Sequence, residues 1–338
     1  MIIYVGNKLL KHGFTPTGID TLGSKLIEEK YNVLCVSDKR NIFVRFIDII
    51  WKIIKYRKHV KLILIDTYST LNFYYAVAVA VLAKLLKIPY VPILRGGDLP
   101  SRIKRNPLLA QIIFSNSYKN ISPSYYLYNT FSECGFDSIC IPNNIELNLY
   151  PFKKRKGFQP QLLYVRSFHK IYNPEMAIHV LQELLKKYKN AKLIMVGPEK
   201  DGSLQKTKNL VKQLNLEDKV TFTGKLSKPE IIKLSKDYDI FINTTDFDNT
   251  PVSVMEAMAL GLPVVSTKVG GTPFLITNNE NGLLVPPRDI NSFVEAVCSI
   301  IENPEMGNQL SLNARKTVES FAWDVVKVKW SQLFKDFA

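Results

Sequence analysis

The sequence predicts an α/β protein built from two doubly wound parallel sheets. Short Val-, Ile- and Leu-rich runs alternate with helix-length stretches along the chain, as expected of strands buried on both faces by helices. A polar, basic segment, Leu147–Pro160, interrupts that alternation and reads as an interdomain linker. The length, 338 residues, suits two domains better than one. Residues 1–152 are expected to form the first domain and 153–320 the second. Residues 321–338 read as a terminal amphipathic helix, whose Trp323 and Trp330 must dock, with the first domain as the expected surface.

Composition narrows the function classes. The formal net charge of +15 predicts attraction to something anionic. No aromatic-interleaved basic motif or DNA-reading helix accompanies it, so nucleic acid is not the expected partner. Cys35, Cys134, Cys140 and Cys298 form no C-x-x-C pair, which fits a reducing compartment and argues against a zinc site. The first residues, MIIYVGNKLLKHG, read as a strand rather than a signal peptide. The longest apolar run, Tyr74–Leu94, is broken by Lys84, Lys87, Pro89 and Pro92 and is too interrupted to span a bilayer. The expectation is a cytoplasmic protein, soluble or peripheral at the inner membrane face.

In the first domain, Ile2–Val5, Val33–Val36, Leu62–Asp66, Tyr90–Ile93 and Ser138–Ile141 read as strands. Helices are expected near Gly18–Lys30, Ile42–Lys58, Phe73–Leu86 and Pro123–Cys134. The loop after the first strand carries Gly13 and Gly18, which would let backbone approach a ligand. It has no G-x-G-x-x-G, so the dinucleotide fingerprint is absent. Residues 39–61 hold eight Lys/Arg and one acid, Asp48. Arg45, Asp48, Lys52 and Lys55 fall on one narrow polar stripe of an otherwise apolar helix. Such a helix suits an anionic membrane surface, or a buried place in the sheet sandwich with a thin solvated edge. The run LRGGDLPSR follows a strand and reaches the ligand-binding edge. Arg95, Gly96, Gly97, Asp98 and Arg102 are candidates for acceptor or phosphate contact there, although the two glycines also suit a plain turn.

The second domain continues with strands Leu162–Val165, Lys192–Val196, Val220–Phe222, Ile240–Asn243, Val264–Ser266 and Gly282–Val285. Helices are expected at Pro174–Lys189, Leu204–Leu214, Lys228–Lys236, Ile290–Glu302 and Pro304–Ser320. Its informative stretch is Asn243–Pro273, NTTDFDNTPVSVMEAMALGLPVVSTKVGGTP. A strand enters a polar loop, Pro251 opens a helix, and a second strand delivers Gly270-Gly271. The first helical turn leaves N–H groups at Val252, Ser253 and Val254 for an anion such as phosphate. Asp248 and Glu256 lie on either side, and sugar or ribose hydroxyls are the neutral donors that a carboxylate accepts there. A helix cap with a core-facing glutamate is the plainer alternative. Arg166 and Lys170 follow the first strand of this domain and reach the same edge, where two cations would suit a diphosphate. Asp237-Tyr238-Asp239 imitates a metal-binding D-x-D but precedes its strand rather than following it, so no metal is expected.

These residues carry a resemblance. The chain is similar to glycosyltransferase family 4, retaining enzymes of the GT-B fold, glycosyl transferases group 1. The matching stretches are Ile141–Phe152, Arg166–Lys170, Val196-Gly197-Pro198, Phe222–Leu226, Asp248–Val269, Gly282–Asp289 and Phe321–Trp323. The resemblance implies two Rossmann-like domains facing a cleft, the first for the acceptor and the second for a nucleotide sugar. It implies catalytic or donor-binding roles for Arg166, Lys170, Asp248 and Glu256, with Glu256 on the ribose and Asp248 in place of a longer glutamate near the sugar. Gly224 would lie near the base, and Asn249, Thr250, Pro251 and Val252 near the phosphates and sugar. Gly18, Arg95, Gly96, Gly97 and Asp98 would line the acceptor side; Arg95 stands where the family often has histidine. The implied activity is transfer of a sugar, with retention, to a glycan or lipid-linked acceptor in cell-surface polysaccharide synthesis. A same-fold nucleotide-sugar epimerase and a noncatalytic sugar-nucleotide-binding member of a polysaccharide assembly complex are the alternatives.

Overall fold

The computed structural model describes residues 1–14, 16–95 and 98–337, and the chain divides into two compact units. The first comprises Met1–Pro142 with the residues from Lys329 onward; the second is Asn143–Val328.

The first unit holds β1 (Ile2–Val5), α1 (Gly18–Glu28), β2 (Val33–Val36), α2 (Ile42–Tyr56), β3 (Leu62–Thr67), α3 (Asn72–Leu85), β4 (Tyr90–Leu94), α4 (Leu99–Arg105), α5 (Pro107–Phe114), β5 (Asn120–Ser122), α6 (Tyr125–Glu133) and β6 (Ser138–Cys140). The strands form one parallel sheet in the order β2-β1-β3-β4-β5-β6. Alternation along each strand sends side chains to opposite faces. Ile3, Val5, Ile63 and Ile65 meet Ile49 and Ile53 of α2, Phe73 and Val79 of α3, and Ile113 of α5. Tyr4 points the other way, to Gly23 of α1, where a Cβ would collide with the Cys35 sulfur.

The second unit holds β7 (Gln161–Val165), α7 (Pro174–Lys187), β8 (Lys192–Val196), α8 (Ser203–Gln213), β9 (Val220–Gly224), α9 (Lys228–Leu234), β10 (Ile240–Asn243), α10 (Val252–Ala259), β11 (Val264–Thr267), β12 (Leu283–Val285), α11 (Ile290–Glu302) and α12 (Pro304–Glu319). Its sheet, also parallel, runs β12-β11-β10-β7-β8-β9. One face packs on α7, α8 and α11, the other on α10 and α12. A last helix, α13 (Trp323–Phe334), ends the chain; Phe334 meets the Tyr31 ring edge-on at 5.1 Å within the first unit.

Strand order reverses between β1 and β3 in the first unit and between β7 and β10 in the second. Neighbouring loops there leave in opposite directions and open a crevice at the carboxyl edge. Fold physics therefore singles out the loops after β7 and β10.

Besides helices α4 and α5, which were not expected, three features depart from the sequence-based expectation. β5 is three residues long and begins and ends on polar side chains, Asn120 and Ser122, too short for an apolar run to register. The expected linker is largely built into the second unit, which begins at Asn143 rather than 153. Tyr150 is buried within it, and Arg155 donates to the Gly261, Tyr238 and Ser235 carbonyls and pairs with Asp239 at 3.1 Å. Burial pulls the Arg155 pKa down, and Asp239 offsets part of that. Asp239 also accepts from the Gln159 N–H, so this carboxylate of the D-x-D sequence is held by structural partners. Third, the polar stripe of α2 is not solvated throughout: Lys55 is exposed, but Arg45 is not. Arg45, expected on its solvated stripe, is buried and donates to the Lys39 carbonyl, while Phe43, Ile47 and Trp51 face outward.

Arg155 thus joins the entry segment to the helix ends around β10 and β11. Arg155→Ala removes the charge partner of Asp239 and the donor to four carbonyls, and a cost of about 3–5 kcal/mol is expected. Thermal unfolding checks it; a melting temperature within a degree or so of the parent contradicts it.

Candidate active site

The loop after β7 carries Arg166, and the loop after β10 carries Asp248. The Arg166 guanidinium pairs with the Asp248 carboxylate, and both side chains are nearly buried. The Tyr172 ring lies under the guanidinium carbon at 4.7 Å, a cation–π contact. Burial pulls the Arg166 pKa down, while the nearby tyrosines and Glu256 push it back up. Glu256 therefore lies within electrostatic reach of Arg166. The structure pairs Arg166 with Asp248, while the contacts of Glu256 are with Tyr150 and Lys228.

Backbone closeness fixes this arrangement. Gly197, at φ +155°, lets the end of β8 pass so near the Arg166 carbonyl that no Cβ fits. Gly270 and Gly271 do the same against the Asp248 and Asn249 carbonyls, and the Gly271 N–H donates to the Asp248 carbonyl at 2.8 Å. The glycine pair is thus the floor that sets the height of the Asp248–Asn249 loop. The two crevice loops are also stitched to each other. Thr244 Oγ1 donates to the Tyr172 and Asn173 carbonyls at 3.1 and 2.8 Å, and Thr245 Oγ1 to the Ile171 carbonyl at 3.2 Å. The Asp246 N–H reaches that same carbonyl at 2.8 Å, and its carboxylate takes Arg288 at 2.9 Å.

α10 begins one residue later than expected. Pro251 is its N-cap, with extended backbone, and the N–H groups of Val254 and Met255 donate to the Pro251 carbonyl at 3.0 and 3.2 Å. Val252 and Ser253 keep the anion-facing donors of the first turn, and Val254 does not. Around this turn Thr250 Oγ1, Ser253 Oγ and Arg166 Nε are buried with no hydrogen-bond partner. Buried polar atoms are almost always satisfied in folded proteins, so the two hydroxyls at this helix start, with Arg166 Nε beside Asp248, mark groups that still lack a partner. One turn in, Glu256 accepts from the Tyr150 hydroxyl at 2.7 Å and meets Lys228 at 3.3 Å. Burial and Glu256 hold the Tyr150 pKa far above the usual tyrosine range, so it remains a donor.

The remaining expected residues are placed as follows. Lys170 opens a short 3-10 turn; its ammonium is exposed at the same edge and its N–H donates to Asp201 at 3.0 Å. That bond and the Ser203 hydroxyl bring Asp201 down to about 2. Gly224 ends β9, two strands away from β10's neighbour β7, and accepts from the Gly197 N–H at 2.9 Å. In the first unit Gly18 starts α1 and packs on the Arg95 guanidinium, which leaves no room for a Cβ. Arg95 donates to Asp66 at 2.8 Å and to the Tyr4 hydroxyl at 3.1 Å, and Tyr4 donates to Asp66 at 2.9 Å. Burial opposes the charge on Arg95, but Asp66 outweighs it and raises the pKa. Asp98 stands at the N-cap position of α4 without a side-chain cap bond and pairs with Arg105 at 2.8 Å. Gly96 and Gly97 lie outside the described residues. Tyr150, Tyr172, Thr244 and Thr245 were not singled out from the sequence; no spacing rule marks a partner 106 residues from Glu256.

Comparison with known proteins decides what this arrangement belongs to. The profile of the family described as Glycosyl transferases group 1 matches residues 149–317, half of the chain and nearly all of the second unit. The protein belongs to the glycosyl transferases group 1 family. It is a glycosyltransferase. Among its relatives, N-acetyl-alpha-D-glucosaminyl L-malate synthase of Bacillus anthracis is 25% identical over 296 residues, 80% of this chain and 75% of that one. Among solved structures, sucrose-phosphate synthase of Thermosynechococcus elongatus superposes with a TM-score of 0.83 at 17% identity, covering 99% of this chain and 98% of the other. HepE of Anabaena, solved with UDP-glucose, gives 0.79 at 16% identity and covers 99% of both chains. The shared backbone is the GT-B fold.

Gly271→Ala is expected to lift the Asp248–Asn249 loop and cut transfer by roughly 10²-fold, the scale of a small misplacement at a reacting centre. Gly157→Ala, where an added Cβ meets nothing, is the control. Equal activity in the two variants contradicts a positioning role for the glycine pair.

Proposed function

We propose that this glycosyltransferase takes its sugar from a nucleoside diphosphate sugar and that the second unit holds the donor. One observation carries the proposal: the unsatisfied Thr250 and Ser253 hydroxyls at the start of α10 and the unsatisfied Nε of Arg166, which pairs with Asp248 of the loop before that helix, with Glu256 one turn in. A pyrophosphate supplies the acceptors these groups lack, and the helix dipole favours its charge. Glu256, already shaped by Tyr150, would accept from both ribose hydroxyls. Thr250, Pro251, Val252 and Asn249 would follow the phosphates and sugar, and Gly224 the base. HepE, of the same fold, was solved with UDP-glucose, which supports this donor class.

Transfer would proceed with retention, as the resemblance implies. The acceptor oxygen bonds to the anomeric carbon on the face from which the diphosphate departs. The carbon–oxygen bond to phosphate breaks, and the acceptor proton passes to the leaving diphosphate. Arg166 and Lys170 would balance the growing negative charge without a metal ion. Asp248, paired with Arg166, would orient that guanidinium and face the sugar. The acceptor would be a glycan or lipid-linked sugar in cell-surface polysaccharide synthesis, used at the inner membrane face. No helix among the described residues is long and apolar enough to cross a membrane.

A thermal-shift screen against nucleotide sugars is expected to raise the melting temperature with at least one donor. Glu256→Ala should weaken that donor by about 1.5–3 kcal/mol, the scale of a hydrogen bond to a charged group. Transfer to a lipid-linked acceptor should persist in chelator. An unchanged donor affinity in the variant, donor conversion without acceptor, or activity restored only by manganese would each contradict the scheme.

A further inference from the structure

We propose that the outer face of the α2–α3–α5 layer is a docking surface for an anionic lipid bilayer. It deepens the membrane-side acceptor proposed above and rests on that reading only for its purpose, since the surface lies in the first unit.

The three helices share one sheet face and bury Ile49, Ile53, Phe73, Val79 and Ile113 against it. Their opposite sides should be polar in a water-facing layer. They are not. Phe43, Ile47 and Trp51 project from α2 at 78%, 65% and 54% exposure, Tyr74 and Leu85 from α3, and Leu108 from α5. Scattered apolar side chains on a surface mean little, but one layer of adjoining helices with apolar outer faces marks a contact surface.

Charge identifies the occupant. Exposed Lys39 and Arg40 stand before α2, Lys55 and Lys58 at its end, and Lys84 and Lys87 at the end of α3. Lys55 leans over the Trp51 ring at 4.6 Å, an aromatic body beneath a cationic head. From Lys39 to Lys87 the acids are Asp48 and Asp66. Asp48 is paired with Lys52 at 2.9 Å, and Asp66 is buried against Arg95. No free carboxylate in this stretch offsets the basic rim. A second copy of the chain would bring the same positive rim and be repelled; anionic headgroups are attracted, and the apolar side chains enter the acyl boundary. Because α2 has fifteen residues and none of the helices spans, the layer lies on the membrane rather than through it.

Vesicle co-sedimentation tests the proposal, with phosphatidylglycerol–phosphatidylcholine vesicles against pure phosphatidylcholine at low and high salt. The parent protein is expected to sediment with the anionic vesicles only, less so at high salt, with a blue shift in emission that Trp51→Phe abolishes. The doubly substituted Ile47→Asp/Trp51→Asp protein should lose binding. Lys55→Glu/Lys58→Glu, which leaves the apolar face intact, should lower the partition about tenfold or more. Both variants should keep the parent melting temperature and its thermal shift with nucleotide sugar, so failure of the donor reading leaves the vesicle result standing. The proposal is overturned if the parent stays in the supernatant, or if both variants bind like the parent. It is equally overturned if ultracentrifugation shows a self-associated parent whose apolar face is consumed without lipid.

Discussion

The pairing of Arg166 with Asp248 is the constraint around which the second unit is arranged. It joins the loops of two strands that adjoin in the sheet, at the point where strand order reverses. A buried guanidinium is costly unless its charge and its donors are met. Asp248 meets the charge from one side and the Tyr172 ring covers another, yet Nε stays without an acceptor. Much of the surrounding sequence serves to hold this unfinished state. Gly197 lets β8 approach, Gly270-Gly271 support the Asp248 backbone, and Thr244 and Thr245 tie the loops together. The result is a guanidinium held in place between Asp248 and the Tyr172 ring.

The first unit treats its arginine differently. Arg95 has its charge answered within the unit, by Asp66 and Tyr4, and its guanidinium lies flat on Gly18. Arg95 is therefore half of an ion pair rather than a loose cation. Arg95, Asp66 and Tyr4 make one hydrogen-bonded unit. The +15 charge correspondingly resides on exposed lysines and arginines, many of them around the helices of this unit.

The repeated strand–helix pattern was legible because parallel strands are buried on both faces and read as unbroken apolar runs. Nearly every expected strand and helix is found within a residue or two of its expected bounds. β5 was not legible, since three residues, Asn-Ile-Ser, carry no period. Helix α2 was recognised, but the burial of Arg45 on its polar stripe was not. Sequence periodicity locates a polar stripe, but which stripe faces the sheet depends on whether the arginine finds a carbonyl inside, as Arg45 does at Lys39. The positions of Arg166 and Asp248 after strand ends and of Glu256 in a helix's first turns could be read in advance because local geometry places them. Tyr150 and Tyr172 could not, because their roles arise from tertiary contact. The extra hydrogen bond from Val254 to Pro251 is a detail of cap geometry below the reach of spacing rules.

A crystal structure of the protein soaked with the nucleotide sugar that it binds best tests the central claim most directly. The diphosphate is expected within hydrogen-bond distance of the Val252 or Ser253 N–H and of Arg166 Nε, with the ribose hydroxyls on Glu256. Density for the diphosphate elsewhere, with Glu256 still holding only Tyr150 and Lys228, would contradict it.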